Sequence, residues 1–253
     1  GFQATEAERA VLGPALLAKG VRNISLGVDD RLKGVAAGNA QTEQTVLGLI
    51  SRFRHQAQTF IDTLFPRYRG HLRMAPVSLR PMQVQDRAQS WRADDKRLHV
   101  DAFPSRPNRG ERILRVFTNL NPDGQARVWR VGESFEDVAR HFMPRLKPYV
   151  AWQAKVLHAI GVTKSLRTEY DHLMLQLHDA MKADLDYQRT SSQITVPFQP
   201  GAVWVCFSDQ ATHAVMSGQY MMELTAHLDP QYQYWPERSP LGVLQRLTGR
   251  SLI

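Results

Sequence analysis

A change of hydrophobic period along the chain limits its fold more than any other feature. From Thr45 to Phe65 apolar residues recur as Val46, Leu49, Ile50, Phe53, Ala57, Phe60, Ile61 and Leu64, the three- and four-residue spacing of one helix face. That predicts a long amphipathic helix stopped near Pro66. A second helical stretch is expected from about Lys164 to Tyr187, with Leu166, Tyr170, Leu173, Leu177, Met181 and Leu185 on one stripe. Elsewhere the pattern is that of strands. Arg112 to Asn121 runs into the turn tetrapeptide Asn121-Pro122-Asp123-Gly124, and Gln125 to Val131 resumes the β pattern, which predicts a hairpin. Gly201 to Ser208 and Tyr220 to Thr225 are two further strands, introduced by Pro200-Gly201 and Ser217-Gly218. Helices first and in the middle, with strands around them, predict an α+β fold: an antiparallel sheet or barrel with helices packed on one side.

The 253 residues are 43% hydrophobic, enough for a substantial core and against disorder as the overall state. No internal repeat or long linker divides them, so residues 1–253 are read as a single domain with an N-terminal helical region. No apolar run approaches the roughly 18 residues of a membrane-spanning helix. The lone Cys206 excludes an intramolecular disulfide and a multi-cysteine zinc site, and a reducing compartment is expected. The stretch from Gln231 to Ile253, rich in Tyr, Pro and Arg, is read as a docked tail or a partner surface.

The net charge is +8, and it is concentrated. Between Arg67 and Arg115 stand 12 basic residues, Arg87 among them, against five acids including Asp86. Such a field raises the local concentration of anionic partners, whether nucleic acid, lipid headgroup or acidic small molecule. Charge alone does not choose among them.

Two His-x-Asp pairs are present, His99-Val100-Asp101 and His227-Leu228-Asp229. On a strand, residues two apart point to the same face, so an imidazole and a carboxylate can meet one ion. A third ligand from elsewhere would complete a 2-His-1-carboxylate triad, a set that suits Fe(II) and leaves positions open. No histidine follows Asp229, so the second pair is read as chance. Downstream of Asp101, His172 and His178 fall in the helical stretch and His158 in another helical run. His213 follows a β-patterned segment. The metal-site reading is therefore His99, Asp101 and His213, although spacing alone also allows three ordinary hydrogen-bonded polar residues. No Gly-x-Ser-x-Gly, Walker loop or Gly-x-Gly-x-x-Gly occurs. Cys206, inside an apolar run, is read as a packed thiol.

The order His-x-Asp, a basic strand, Gly201-Ala-Val-Trp-Val-Cys-Phe-Ser-Asp209 and Thr212-His-Ala-Val215 is similar to that of the Fe(II)- and 2-oxoglutarate-dependent oxygenases. More narrowly, His99-Val-Asp-Ala-Phe-Pro-Ser-Arg-Pro-Asn-Arg-Gly110 followed by Arg115-Val-Phe-Thr-Asn-Leu-Asn-Pro122 resembles the bacterial Kdo hydroxylases. The resemblance extends over most of the chain. It implies a double-stranded β-helix (jelly-roll) core, Fe(II) held by His99, Asp101 and His213, and 2-oxoglutarate and dioxygen as cosubstrates. The implied reaction hydroxylates carbon 3 of the outer 3-deoxy-D-manno-oct-2-ulosonic acid (Kdo) of lipopolysaccharide, giving succinate and carbon dioxide.

One departure stands out. Many such oxygenases grip the far carboxylate of 2-oxoglutarate with an Arg a short way after the distal His, but here that stretch reads Met221-Met-Glu-Leu-Thr225, and no Arg follows His213 before Arg238. Arg115 is the expected substitute, with Asn119 on its strand face, Arg80 as second choice and Trp129 as a pocket wall. Arg106 and Arg109 are expected to meet anions of the acceptor, a Kdo-bearing lipid A. The implied location is cytoplasmic, peripheral at the inner membrane of a Gram-negative bacterium; of the amphipathic surfaces that lipid contact would use, those near Trp235 and the N-terminal helices are read first as interior or partner-facing. No nucleic-acid partner is expected, and a homo-oligomer is left open. Two other readings of the residues stand beside this one: a related oxygenase with another anionic acceptor, and a non-catalytic basic β-barrel module that binds nucleic acid or an anionic surface.

Overall fold

A computed structural model describes residues 1–83 and 89–253; Asp86 and Arg87 of the basic segment lie outside the described residues. In chain order the elements begin with α1 (Glu6–Val11), β1 (Ile24–Leu26), β2 (Leu32–Lys33), α2 (Ala40–Leu64), β3 (Leu72–Met74) and β4 (Val77–Arg80). Then follow β5 (Arg112–Asn119), β6 (Arg127–Val131), α3 (Phe135–Phe142), α4 (Ala151–Ala159), α5 (Glu169–Ala183) and α6 (Leu185–Thr190). The last are β7 (Ile194–Phe198), β8 (Val203–Phe207), β9 (His213–Ser217), β10 (Met221–Leu228) and α7 (Pro240–Thr248).

The long helix predicted from Thr45 begins earlier, at Ala40, because Asn39 caps it by accepting the Thr42 amide at 3.0 Å. A polar first turn carries no apolar stripe, so periodicity alone does not reveal it. The second predicted helix is two. Thr168 and Asp171 form a capping box that starts α5, and Asp184 caps α6. Tyr170, Leu173, Leu177 and Met181 are buried, but the two outer members of the predicted stripe, Leu166 and Leu185, are exposed.

All strand pairs are antiparallel. Seven strands form one sheet in the order β2-β1-β4-β10-β5-β8, with β3 also on β10, and three form a second in the order β7-β6-β9. The predicted hairpin is corrected here: β5 pairs with β10 and β8, whereas β6 pairs with β7 and β9. The Asn-Pro-Asp-Gly turn carries the chain from one sheet to the other. Its polar groups are satisfied locally, Asn121 Oδ1 accepting the Asp123 and Gln125 amides at 2.9 and 3.0 Å. Turn chemistry specifies a reversal of direction, not the partner of the strand that follows.

The helices also depart from expectation, for they cover both sheets rather than one side. Met222 and Leu224 of β10 and Leu114 and Val116 of β5 face α2, whose Val46, Leu49, Ile50, Phe53 and Ile61 are buried against them. On the other side, Leu98, Val100 and Ala214 pack against Val138 and Phe142 of α3, Leu177 of α5 and Leu244 of α7. The C-terminal stretch is thus docked through α7. Between the sheets lie Phe117, Trp129, Trp204, Val215 and Met221. Alternation along each strand produces this layering: odd-numbered residues of β5, β9 and β10 point inward, even-numbered ones toward helices.

Candidate metal centre

His99 lies on an extended segment that pairs with the start of β9. Its amide donates to the His213 carbonyl at 3.0 Å, and the His213 amide returns a bond of 2.9 Å. That pairing sets the two imidazoles side by side, ring centroids 4.6 Å apart. Asp101, two residues on, falls on the same face, its amide held by the Ser208 carbonyl at 2.8 Å. One ligand atom from each of His99, Asp101 and His213 lies within 4.8 Å of the other two. Among the described residues no other such cluster occurs.

The histidine tautomers follow from backbone partners. His99 Nδ1 meets the Arg97 carbonyl at 2.7 Å and His213 Nδ1 meets that of Ala211 at 2.8 Å. A carbonyl accepts only, so Nδ1 carries the proton and each Nε2 offers its lone pair to the centre. Burial and then the neighbouring His99 push the His213 pKa down to about 4, so its imidazole is neutral at physiological pH. Burial would raise the Asp101 carboxyl, but the Arg115 guanidinium beside it is the chief group that outweighs burial and holds it well below the usual carboxylate range. Asp101 Oδ2 is buried with an Arg115 guanidinium nitrogen at 3.2 Å, yet it accepts no well-aligned hydrogen bond. Two imidazoles anchored through Nδ1 and an ionised carboxylate with a spare oxygen fit a divalent transition metal, and the 2-His-1-carboxylate set is that of non-haem Fe(II) oxygenases.

The chain matches the model of the 3-deoxy-D-manno-oct-2-ulosonic acid (Kdo) hydroxylase family over residues 1–251. It belongs to that family. Solved structures agree. The Kdo hydroxylase KdoO, described as a non-heme Fe(II) alphaketoglutarate dependent dioxygenase, in complex with alphaketoglutarate and Fe(III), is 42% identical with a TM-score of 0.93, covering 100% of this chain and 84% of that one. KdoO in complex with cobalt(II) gives 42% identity, a TM-score of 0.94 and the same coverage. No curated protein sequence matches the chain.

The other residues that the Kdo hydroxylase resemblance singled out fall into three groups. Arg80, Arg115 and Trp129 line one cavity of about 180 Å³ with the three clustered residues. Arg115 is fixed between two carboxylates, Asp101 Oδ2 at 3.2 Å and Glu223 Oε1 at 3.4 Å, and Arg80 meets Glu223 Oε2 at 2.9 Å. Trp129 stacks on His213 with centroids 5.0 Å apart, and its indole Nε1 is buried with no acceptor among the described residues. Arg106 lines a neighbouring cavity. Asn119 and Arg109 stand apart. Asn119 lies outside the metal cavity, its Nδ2 spent on the carbonyls of Gln125 and Phe198 at 2.9 and 3.0 Å. Arg109, at φ 52°, has its amide held by Asp171 and faces a different hollow beside Asp229 and Gln231. The reason in both cases is backbone geometry: a sheet-crossing corner takes up Asn119, and a left-handed loop turns Arg109 away.

Three residues of the site were not legible as such. Arg127, buried, lines the metal cavity and donates to the Gly218 carbonyl at 3.1 Å. Its alternation with Trp129 on β6 was the available signal. Glu223 occupies the stretch where an Arg was sought, and it neutralises Arg80 and Arg115. His178, set aside as helical, brings its ring edge to His99, centroids 5.5 Å apart, with Nδ1 2.9 Å from Asp179. No spacing in the chain links α5 to the His99 segment. The second His-x-Asp pair divides: His227 points inward from β10, while Asp229 caps the turn at Pro230–Tyr232. Burial lifts the Cys206 thiol to about 12, which leaves it unreactive.

Buried histidines make stability depend on pH. Burial lowers His178, His213 and His227, so below the ordinary value the unfolded chain binds protons that the folded chain refuses. Their contribution is complete above about pH 6.5 and is lost as pH falls toward about 4. For His213 alone the shift from 6.5 to about 4 corresponds to about 3 kcal/mol. The metal-free protein is expected to show a steep drop in urea midpoint between those limits. A flat midpoint over that range contradicts the buried, neutral imidazoles.

Proposed function

We propose that this chain is an Fe(II)- and 2-oxoglutarate-dependent dioxygenase that hydroxylates carbon 3 of the outer Kdo on Kdo2-lipid A, releasing succinate and carbon dioxide. The observation that carries the reading is the convergence of His99, Asp101 and His213 in a Kdo hydroxylase family member. Iron and 2-oxoglutarate supply the oxidising chemistry when bound. The rest is the work of this chain's side chains. His99 and His213 turn their Nε2 atoms to the centre because their Nδ1–H groups donate to the carbonyls of Arg97 and Ala211. Arg115 keeps Asp101 ionised and oriented. Arg80, Arg127 and the indole N–H of Trp129 are the donors offered to the 2-oxoglutarate carboxylates. The cavity's three arginines face Asp95, Asp101 and Glu223, so a dication and a dianion entering together preserve its charge balance. Phe117, Val215 and Met221 wall it against water.

The two sheets support a double-stranded β-helix. Adding the His99 segment to β9 makes the smaller sheet four strands, opposite β4, β10, β5 and β8 of the larger. Residues 1–253 then form one oxygenase domain, with the N-terminal helices on the outside of the larger sheet. The test is turnover: the protein with Fe(II), 2-oxoglutarate and Kdo2-lipid A is expected to form succinate and add one oxygen atom's mass to the Kdo unit. Succinate without that mass gain points instead to another acceptor.

A lipid-linked acceptor requires contact with a membrane surface, and α4 is suited to it. No helix among the described residues is long and apolar enough to cross a membrane. Trp152, Val156 and Ile160 are exposed at four-residue spacing, with Val162 and Leu166 beyond them. From Met143 to Thr168 the chain carries Arg145, Lys147, Lys155, Lys164 and Arg167 and no acid. This surface, rather than Trp235 or the N-terminal helices, is the one we assign to anionic lipid. Trp152→Ser with Ile160→Ser is expected to weaken co-sedimentation with phosphatidylglycerol-containing vesicles about a hundredfold, since burying each large apolar side chain is worth about 1.5 kcal/mol or more. Unchanged sedimentation removes α4 from the contact.

A further inference from the structure

Beside the metal cavity lies a second one of about 680 Å³, and Phe103 and Arg115 line both. That volume falls in the range of ligand pockets of roughly 300–1,000 Å³. Its lining brings four cations, Arg73, Arg106, Arg115 and Lys164, against the single carboxylate of Glu111. The carboxylate of Glu111 is already ion-paired with Arg73, whereas Arg106 and Lys164 have no ion-pair partner among the described residues. The two belong to separate loops that one bond ties together, the Lys164 amide donating to the Ser105 carbonyl at 2.9 Å. The same cavity is lined by Ser25, Ser78 and Asn23, whose Nδ2 reaches Ser78 Oγ at 3.4 Å. His227 Nδ1 is buried there without a hydrogen bond and lies 3.9 Å from Glu111. Two unpaired cations, two hydroxyls, an amide and an orphaned ring nitrogen lining one cavity match a polyhydroxylated sugar acid.

We infer that this second cavity is the acceptor subsite, in which Arg106 and Lys164 hold the sugar's carboxylate while Ser25, Ser78 and Asn23 take its hydroxyls. The inference rests on the proposed hydroxylase reading and adds to it where the acceptor sits. Phe103 and Arg115, common to both cavities, form the threshold over which the reacting carbon reaches the metal side. Arg115 therefore serves both rooms, steadying Asp101 on one side and bordering the sugar on the other.

The test uses the full chain with Arg106→Ala and Lys164→Ala combined. Because a charge-assisted hydrogen bond is worth about 1.5–3 kcal/mol, the KM for Kdo2-lipid A is expected to rise about tenfold or more. The charge-transfer absorption of the anaerobic Fe(II)–2-oxoglutarate complex should persist, and Arg106→Lys should recover most of the KM. A double variant whose KM stays within about twofold of the wild type overturns the assignment. If the wild-type protein forms no succinate at all, the hydroxylase reading fails instead. The cavity is then judged by equilibrium binding of free Kdo: wild-type binding that the double variant loses upholds the subsite, and equal binding or none defeats it.

Discussion

Replacing His213 by alanine is expected to end iron-dependent succinate formation while the chain still folds. The loss of an outer hydrogen-bond partner of a metal ligand costs about 10–100-fold in affinity, so the loss of the ligand itself exceeds that range. The strand survives because its attachments are main-chain ones: the His213 amide and carbonyl bond to His99, and β9 stays paired with β6. Burial disfavours the imidazolium form at this position, so its removal deletes no favourable buried charge. His172→Ala, on the exposed side of α5 where the ring meets the Lys147 carbonyl, is the control that should retain turnover. Anaerobic titration with Fe(II) and 2-oxoglutarate, read by charge-transfer absorption and succinate yield, separates the two. A His213→Ala protein with the wild-type band would remove the triad from the metal.

Arg112→Ala should produce the largest loss of stability. Arg112 and Asp209 are both buried, with Nε to Oδ2 at 2.7 Å. The same guanidinium donates to Gln210 at 2.6 Å and lies 3.9 Å over the Phe207 ring. Burial already raises the Asp209 carboxyl, and Arg112 is the main group opposing that rise. Removing the cation leaves a buried carboxylate without a counter-ion, held by the Ile113 amide at 3.1 Å, which costs about 3–5 kcal/mol. Replacing both, as Arg112→Met with Asp209→Leu, should cost much less, because no charge is then stranded. Urea unfolding at neutral pH measures each, and a single-variant loss under about 1 kcal/mol contradicts the argument. The effect reaches the metal centre as well. Residues 208–211 supply the carbonyls that hold Asp101 and His213, so the single variant should also bind Fe(II) more weakly.

Residues that declare themselves by local pattern were the legible ones. The buried stripe of α2, the strands β5, β6, β8 and β10, and the His99-Val-Asp101 pair all follow from spacing within a few residues. His213 was reached by excluding histidines in helical stretches, and the structure sets it beside His99 because a residue on a paired strand needs no neighbour in sequence. The same exclusion hid His178, since α5 is tied to the His99 segment through Gln188 of α6, whose side chain bonds the Leu98 amide and carbonyl and also the Met181 carbonyl of α5. Asn119 illustrates the opposite error. Its strand face was read correctly from alternation, but the nearby corner consumed its amide, and a side chain's direction does not say which acceptor reaches it first.

What the chain determines by itself is therefore short-range: the period of each segment, its caps and turns, the concentration of Arg between positions 67 and 115, and the motifs that mark the family. What tertiary structure alone decides is pairing. Whether β6 returns on β5 or crosses to the other sheet, whether Arg115 clamps a ligand or steadies Asp101, and which cations stay unpaired all depend on contacts between residues far apart in sequence. Hydrophobic burial drives the collapse without regard to such particulars. Hydrogen bonds and ion pairs, costly when left unmade in the interior, then select the one arrangement in which His99, Asp101 and His213 share a centre.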